Sequence, residues 1–149
     1  MDDLTKILLT SSLTAIGAVM VFVASQVLGK LVIEPIQEVK KLLGEIRHAL
    51  VFHAPAILTP VDDRAGEDRA AEALRKLSCD LRSKIGSVPF YDNWARVSKG
   101  FLPRRSDARE AAKQLLGLSN SVHPSPRPDT NGARIAKIER LLGFESMDE

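Results

Sequence analysis

The sequence has few of the residues from which metal sites and disulfides are built. It contains one cysteine, Cys79, and three histidines among 149 residues. A single cysteine excludes an intramolecular disulfide and fits a reducing compartment. The spacing of Cys79, His48, His53 and His123 matches no zinc-binding pattern, so we expect no metal and no other cofactor.

Catalytic and phosphate-binding motifs are also missing. The sequence contains no G-x-x-x-x-G-K-[ST], H-E-x-x-H, C-x-x-C or G-x-S-x-G. Its net charge of +2 lacks the polybasic character that is typical of nucleic-acid-binding proteins. We therefore expect a protein that is not an enzyme, with neither a nucleic acid nor a small molecule as its ligand.

Charge is absent from one long stretch, ILLTSSLTAIGAVMVFVASQVLG, which Lys6 and Lys30 flank. As a helix its 23 residues would extend roughly 34 Å, enough to cross a hydrocarbon core of about 30 Å. The sequence therefore predicts a transmembrane helix at residues 7–29. A cleaved signal peptide ending near Ser25 is the alternative, but the start, MDDLTK, is acidic where a signal peptide is basic.

The distribution of lysine and arginine predicts the orientation of this span. Only Lys6 precedes it, whereas Lys30, Lys40, Lys41 and Arg47 follow it within about 20 residues. Because the cytoplasmic flank carries the excess of positive charge, we expect residues 1–6 to be extracytoplasmic and the C-terminal domain to be cytoplasmic.

An apolar seam follows the span directly. Steps of three and four residues connect Ile36, Val39, Leu43, Ile46, Leu50, His53 and Ile57. This heptad-like spacing predicts a juxtamembrane helix over residues 30–57. Two interpretations fit the seam, because it could pair with a second copy or pack on later helices of the same chain. Pro35 predicts a kink or a new helix start at the junction.

The same register continued backwards through the span meets mostly small residues. The candidates for helix packing within the bilayer are Ser11, Ala15, Ala18, Ser25 and Gly29. Small residues allow membrane helices to approach each other closely. Membrane spans are rich in such residues in any case, and a kink would break the phase between the two halves, so composition alone also accounts for the stripe.

Residues 58–149 predict further helices and no strand. Apolar stripes at helical spacing comprise Ala70, Leu74, Leu77, Leu81 and Ile85, then Ala108, Ala111, Leu115 and Leu118, then Ile135, Ile138 and Leu142. A Pro-rich linker is expected at residues 123–132. The predicted fold is all-α, with one N-terminal transmembrane helix followed by a small cytosolic helical bundle of about four helices.

The segment SVPFYDNWARVSKGFLPRR, residues 87–105, contains the only tyrosine and the only tryptophan of the chain. Aromatic residues beside cations are typical of a helix that lies on anionic lipid. A segment that fills the core would have the same spacing, so both interpretations stay open. The candidates for a membrane interface are Phe90, Tyr91, Trp94, Arg96, Lys99 and Phe101.

Two resemblances extend these inferences. The span with IEPIQEVKKLLGEI, together with RKL…LR and KQLLGLSNS farther on, resembles a group of small bacterial single-pass membrane proteins without assigned activity. This resemblance covers most of the chain. It implies the inner (plasma) membrane of a bacterium and transfers no catalytic residues.

The second resemblance is local. RHALVFH, residues 47–53, resembles the R-x(4–6)-H motif of HEPN-type RNases, which are helical domains that usually pair. It implies that Arg47 and His53 would meet across a dimer to cut RNA. This chain has His48 where that family commonly has a polar residue. A histidine on an apolar seam is more often a packed and hydrogen-bonded side chain.

The leading expectation is a non-enzymatic, single-pass, membrane-anchored helical protein that self-associates or docks a partner at the cytoplasmic face. Its expected partners are the lipid bilayer and either itself or another membrane-proximal protein. The alternatives are a ring-forming membrane pore or effector, and a membrane-tethered HEPN-like RNase.

Overall fold

The structure, a computed structural model, describes residues 3–59, 64–98, 100–122 and 128–144. All regular structure in these ranges is helical, which confirms the predicted all-α class. The elements are α1 (Asp3–Leu28), a π-helical turn (Gly29–Ile33), α2 (Glu34–Phe52), α3 (Ala54–Leu58), α4 (Arg64–Ser87), α5 (Tyr91–Val97), α6 (Arg105–Ser121) and α7 (Pro128–Leu142).

A single helix of 50 residues, Asp3–Phe52, joins α1 to α2 without a break. Pro35 therefore does not start a new helix. A proline ring clashes with the carbonyl four residues earlier, which here is that of Leu31. The π turn widens the helix at this point, and the N–H of Glu34 donates to the carbonyl of Gly29, five residues back. The widened turn accommodates the proline.

Four helices form an up-and-down bundle after this junction: α2 and α6 run one way, and α4 and α7 run the other. Helices α4 and α6 meet where the hydroxyl of Ser78 donates to the carbonyl of Ala112 at 2.7 Å. The end of α6 meets the start of α7, where Ser121 Oγ donates to Asn131 Oδ1 at 2.8 Å. The core is built from the apolar stripes of these helices, with fully buried side chains at Ile46, Leu50, Leu74, Leu81, Leu115, Leu118 and Ile138.

The bundle's helix boundaries depart from the sequence interpretation at two places. The juxtamembrane helix ends at Phe52 rather than at residue 57, because His53 leaves helical geometry and Pro55 then starts the short α3. Helix α7 begins at Pro128, inside the expected linker of residues 123–132. Proline is favoured in the first turn of a helix, where its missing N–H costs nothing. Residues 123–127 lie outside the described residues.

Helix α7 ends at a glycine. Gly143 adopts a left-handed conformation with φ of 71°, and the N–H of Phe144 donates to the carbonyl of Glu139 at 2.9 Å. This arrangement is a Schellman cap, which glycine favours because it has no Cβ to clash.

Candidate functional site

One end of the bundle, which we call the base, lies beside the point where α1 leaves it. There the Nζ of Lys84, near the end of α4, pairs with a carboxylate oxygen of Glu38 at the start of α2. Lys30, Glu34 and Ser87 line a shallow pocket together at the same place. The ammonium of Lys40 lies 3.1 Å from the centre of the Phe101 ring. The base therefore consists of the start of α2, the end of α4, and α5 with the segment after it.

Helix α1 packs against nothing in the single chain, and all of its side chains from Asp3 to Leu28 are exposed. Among the described residues, Asp3–Phe52 is the one helix long and apolar enough to cross a membrane, with mean hydropathy of 2.2 in its most apolar window of 18 residues. Hydroxyls in α1 donate to carbonyls four residues back at 2.8 Å, at Thr10, Ser11, Ser12, Thr14 and Ser25. These bonds lower the cost of placing hydroxyls in an apolar environment.

The juxtamembrane seam is buried within the chain's own bundle. Val39, Leu43, Ile46 and Leu50 are buried and Ile36 packs partly against the core, in contact with residues of the later helices. Of the two interpretations of the seam, the structure of the single chain therefore corresponds to packing on later helices.

The π turn also shifts the phase between the two halves of the long helix. A π turn uses about one residue more than an α turn, and each helical residue turns the chain by about 100°. Counted at about 100° per residue from the buried residues of α2, with one residue taken up by the π turn, the small residues Ser11, Ala15, Ala18 and Ser25 lie on the side of α1 roughly opposite to the bundle. Gly17 and Ala24 lie nearer to the bundle side of α1.

The aromatic segment divides between core and surface. Tyr91 is fully buried, its hydroxyl donates to the carbonyl of Pro103 at 2.8 Å, and burial raises the pKa of Tyr91 to about 12. Tyr91 thus belongs to the core, unlike the exposed candidates Phe90, Trp94, Arg96 and Phe101. Lys99 lies outside the described residues.

Four other apolar side chains of this segment are exposed, whereas Val88 and Leu102 are buried. We call the exposed four the base patch: Phe90, Trp94, Val97 and Phe101, with exposed fractions of 77%, 37%, 73% and 54%. Arg96 is also exposed, between Trp94 and Val97 in the sequence. Exposed apolar clusters of this kind commonly mark contact surfaces.

Phe90 holds an unusual backbone conformation. It precedes α5 with φ of 54° and ψ of 33°, the one non-glycine residue with positive φ in the described ranges. The left-handed region is unfavourable for a bulky residue and costs on the order of 1–3 kcal/mol. Its carbonyl accepts from the N–H of Asn93 at 2.9 Å, so the strained residue starts α5 and leaves its own ring in solvent.

Arg47 and His53 lie near the end of α2 that is farthest from the base. Arg47 is exposed, whereas His53 is half-buried, and burial followed by the neighbouring His48 lowers the pKa of His53. Their six-residue separation places them about 120° apart around a helix. RNA cleavage by this pair across a dimer stays a prediction.

A cavity of about 830 Å³ opens at the base beside α5. Four arginines line it: Arg96, Arg104, Arg105 and Arg140. Two aspartates also line it. Asp92 lies 3.2 Å from Arg105 Nε through its Oδ2, and Asp107 accepts from the Ser106 hydroxyl at 3.0 Å.

Sequence reasoning did not find this cavity, because its arginines come from α5, from the start of α6 and from the end of α7. The clustered charges of residues 96–105 were the available signal, but nothing in the spacing of the sequence brings Arg140 to them. Within the described ranges, no group of three or more His, Cys, Asp or Glu side chains is arranged to hold a metal ion. Cys79 is exposed on α4.

Comparison of the chain with protein families, with curated proteins and with solved structures gives no match.

Proposed function

We propose that this chain is a non-enzymatic, single-pass membrane protein whose helical bundle stands at the cytoplasmic face of a bacterial inner membrane, where it associates with itself or with another membrane protein. The carrying observation is the apolar surface of α1, which the bundle leaves completely exposed. A 26-residue helix of this composition would bury its side chains in a soluble protein. Its length of roughly 39 Å instead suits a lipid bilayer.

The orientation is supported by charge. Lysine and arginine lie mainly on the bundle side of the span, which favours a cytoplasmic bundle. Cys79 offers a direct test because it is the only cysteine and is exposed. In intact bacterial spheroplasts, a membrane-impermeant maleimide should label Cys79 only after lysis. Labelling before lysis would reverse the orientation.

Membrane insertion itself has a separate test. The protein should stay in the membrane pellet after alkaline carbonate extraction, and its intact mass should equal that of the whole chain. Release into the supernatant would contradict the span, and a mass reduced by about the first 25 residues would indicate a cleaved signal peptide. A variant with lysines at Ala18 and Val21 is the control, since two charges near the middle of the span oppose insertion.

The base patch supports a second part of the proposal, in which the base of the bundle lies against the lipid headgroups. Aromatic rings prefer the headgroup region, and Phe101 of the base patch lies beside Lys40 near the start of α2, the helix that continues the span. Because α1 tethers the bundle, this contact needs little affinity of its own.

Trp94 reports on this contact, since it is the only tryptophan. Bromine-labelled lipids in nanodiscs should quench its fluorescence. The double variant F90S/F101S should weaken the quenching, whereas F52S, an equally exposed phenylalanine at the opposite end of the bundle, should not. Unquenched Trp94 in the unmodified protein would contradict contact between the base and the lipid.

A further inference from the structure

Within the described residues, the lining of the base cavity has an excess of positive charge. Four arginines and two aspartates give its lining a net charge of +2. Asp92 is already paired with Arg105. Among the described residues, no carboxylate forms an ion pair with Arg96, Arg104 or Arg140. Three guanidinium groups at one cavity repel each other unless an anion joins them.

Arg105 adds a second and independent sign of a missing acceptor. Its Nε is buried and forms no hydrogen bond with any described residue, because the nearby Asp92 oxygen, at 3.2 Å, lacks hydrogen-bond alignment. It is the one buried side-chain nitrogen or oxygen of the described ranges without such a bond. Buried polar groups are rarely left unpaired in native proteins, and a water molecule, an ion or a ligand can complete an unmet one.

The backbone at the same cavity also presents donors. Arg104 precedes α6 and provides no side-chain cap, so the first N–H groups of this helix lack intrahelical partners. Residues 104–107 line the cavity. The N-terminal end of a helix carries partial positive charge and favours anions. The N-terminal end of α6 and the arginines therefore both favour an anion in the cavity.

We propose that the base cavity binds the phosphate group of an anionic ligand. Arginine guanidinium groups match phosphate oxygens with paired N–H donors, which is stronger and more specific than a single-charge contact. The same chemistry is offered by the headgroup of an anionic phospholipid and by a soluble phosphate compound. The lipid source rests on the proposed function, because only a bundle whose base faces the membrane brings the cavity to headgroups.

The test compares the two sources with one pair of variants. The full chain is placed in nanodiscs of phosphatidylcholine containing either phosphatidylglycerol or phosphatidic acid, and bound lipids are counted by native mass spectrometry. In a parallel arm, the full chain in an uncharged detergent is titrated with inorganic phosphate by calorimetry. The test variant is R104Q/R140Q, whose side chains are exposed or at the cavity rim. The control is R82Q/R109Q, two exposed arginines outside the cavity with the same change in charge.

We expect R104Q/R140Q to weaken phosphate binding at least about tenfold while R82Q/R109Q binds as the unmodified protein does. If the unmodified protein retains anionic lipid and R104Q/R140Q does not, the cavity binds phosphate and a lipid headgroup can supply it. If the unmodified protein gives a calorimetric signal with inorganic phosphate and R104Q/R140Q does not, the cavity binds phosphate from a soluble source. No binding in either arm, or equal loss in both variants, would overturn the proposal.

Folding and insertion are checked separately. The two double variants should have the same helical circular dichroism as the unmodified chain, because none of the four arginines is buried in the core. The detergent arm does not depend on membrane insertion. Release of the protein by alkaline carbonate would therefore contradict the membrane proposal and leave the result for the cavity standing.

Discussion

At the residue scale, Glu110 connects two helices of the bundle by charge. Its Oε1 accepts from Lys137 Nζ on α7 at 2.8 Å and from Gln114 Nε2 at 2.9 Å, while Lys113 lies 3.6 Å from Oε2. The hydrogen bond with Lys137 is the main reason that the pKa of Glu110 falls from 4.5 to about 2. A carboxylate with a lowered folded-state pKa stabilises the fold above its unfolded pKa, and loses that contribution as pH falls through the folded value.

We expect the melting temperature of the protein to fall between about pH 4.5 and pH 2, in part through Glu110. In the variant Glu110→Gln this part of the fall should be absent, so the pH profile should be flatter. Thermal melts followed by circular dichroism from pH 7 to pH 2 measure it. Glu45→Gln, an exposed glutamate on α2, is the control and should keep the profile of the unmodified protein; equal slopes for the two variants would contradict the role of Glu110.

A second prediction at this scale concerns Tyr91. Its hydroxyl gives the buried carbonyl of Pro103 a hydrogen bond and so fixes α5 against the segment that leads to α6. Tyr91→Phe leaves that carbonyl unpaired and should lower the free energy of unfolding by about 1–3 kcal/mol. Urea unfolding followed by Trp94 fluorescence measures the change. Asn93→Ala, an exposed position of the same helix, should have less than about 0.5 kcal/mol of effect.

At the element scale, the π turn determines which side of α1 can meet a second copy. The side of α1 above the bundle, which includes Gly17 and Ala24, is closed to a second copy because two bundles would occupy the same volume. The stripe that contains Ala18 and Ser25 lies roughly opposite to that side, and two copies could bring it together with their bundles turned away from each other. The proline that distorts the helix thus makes pairing through the small residues sterically feasible.

This geometry predicts different results for two matched substitutions. A18L/S25L should abolish association of the full chain in nanodiscs, because leucine prevents the close approach that small residues allow. G17L/A24L should preserve it, since that side faces no second copy. Cross-linking in the membrane followed by gel electrophoresis reads both variants. The reverse pattern would place the contact above the bundle and contradict the effect of the π turn.

A comparison of the individual helices shows which features the sequence could predict. The stripes of α4 and α6 are all buried, since a single helix face determines such a pattern and Leu74 or Leu115 needs no distant partner to reveal it. Pro35 indicated a disturbance, but proline is compatible with a kink, a restart or a π turn, and the surrounding contacts decide among them. Tyr91 and Phe90 are neighbours with opposite burial, because a left-handed residue turns the chain between them. The arginine cavity depends on how three helix ends meet, which local spacing does not contain.

At the scale of the whole molecule, the bundle contains the buried core and α1 carries an exposed apolar surface. Every residue of the buried core lies between Val39 and Leu142, and Ile36 is the first residue that packs against it. Helix α1 contributes no buried side chain. The core of the described bundle is therefore complete without α1, whereas the apolar surface of α1 is exposed in the single chain.

We accordingly expect a chain that begins at Lys30 to be folded and monomeric in water, and the full chain in nanodiscs to contain more than one copy. The seam that could have paired bundles is occupied by the chain's own helices, so association through α1 is what remains. Mass photometry of the nanodiscs and light scattering of the truncated chain measure both masses.

A dimeric truncated chain would move the contact to the bundle surface. A monomeric full chain would contradict self-association and leave docking of another protein. Six or more copies would favour the ring-forming pore, since a closed ring of α1 helices can enclose a channel, and ion conductance would then be the decisive measurement.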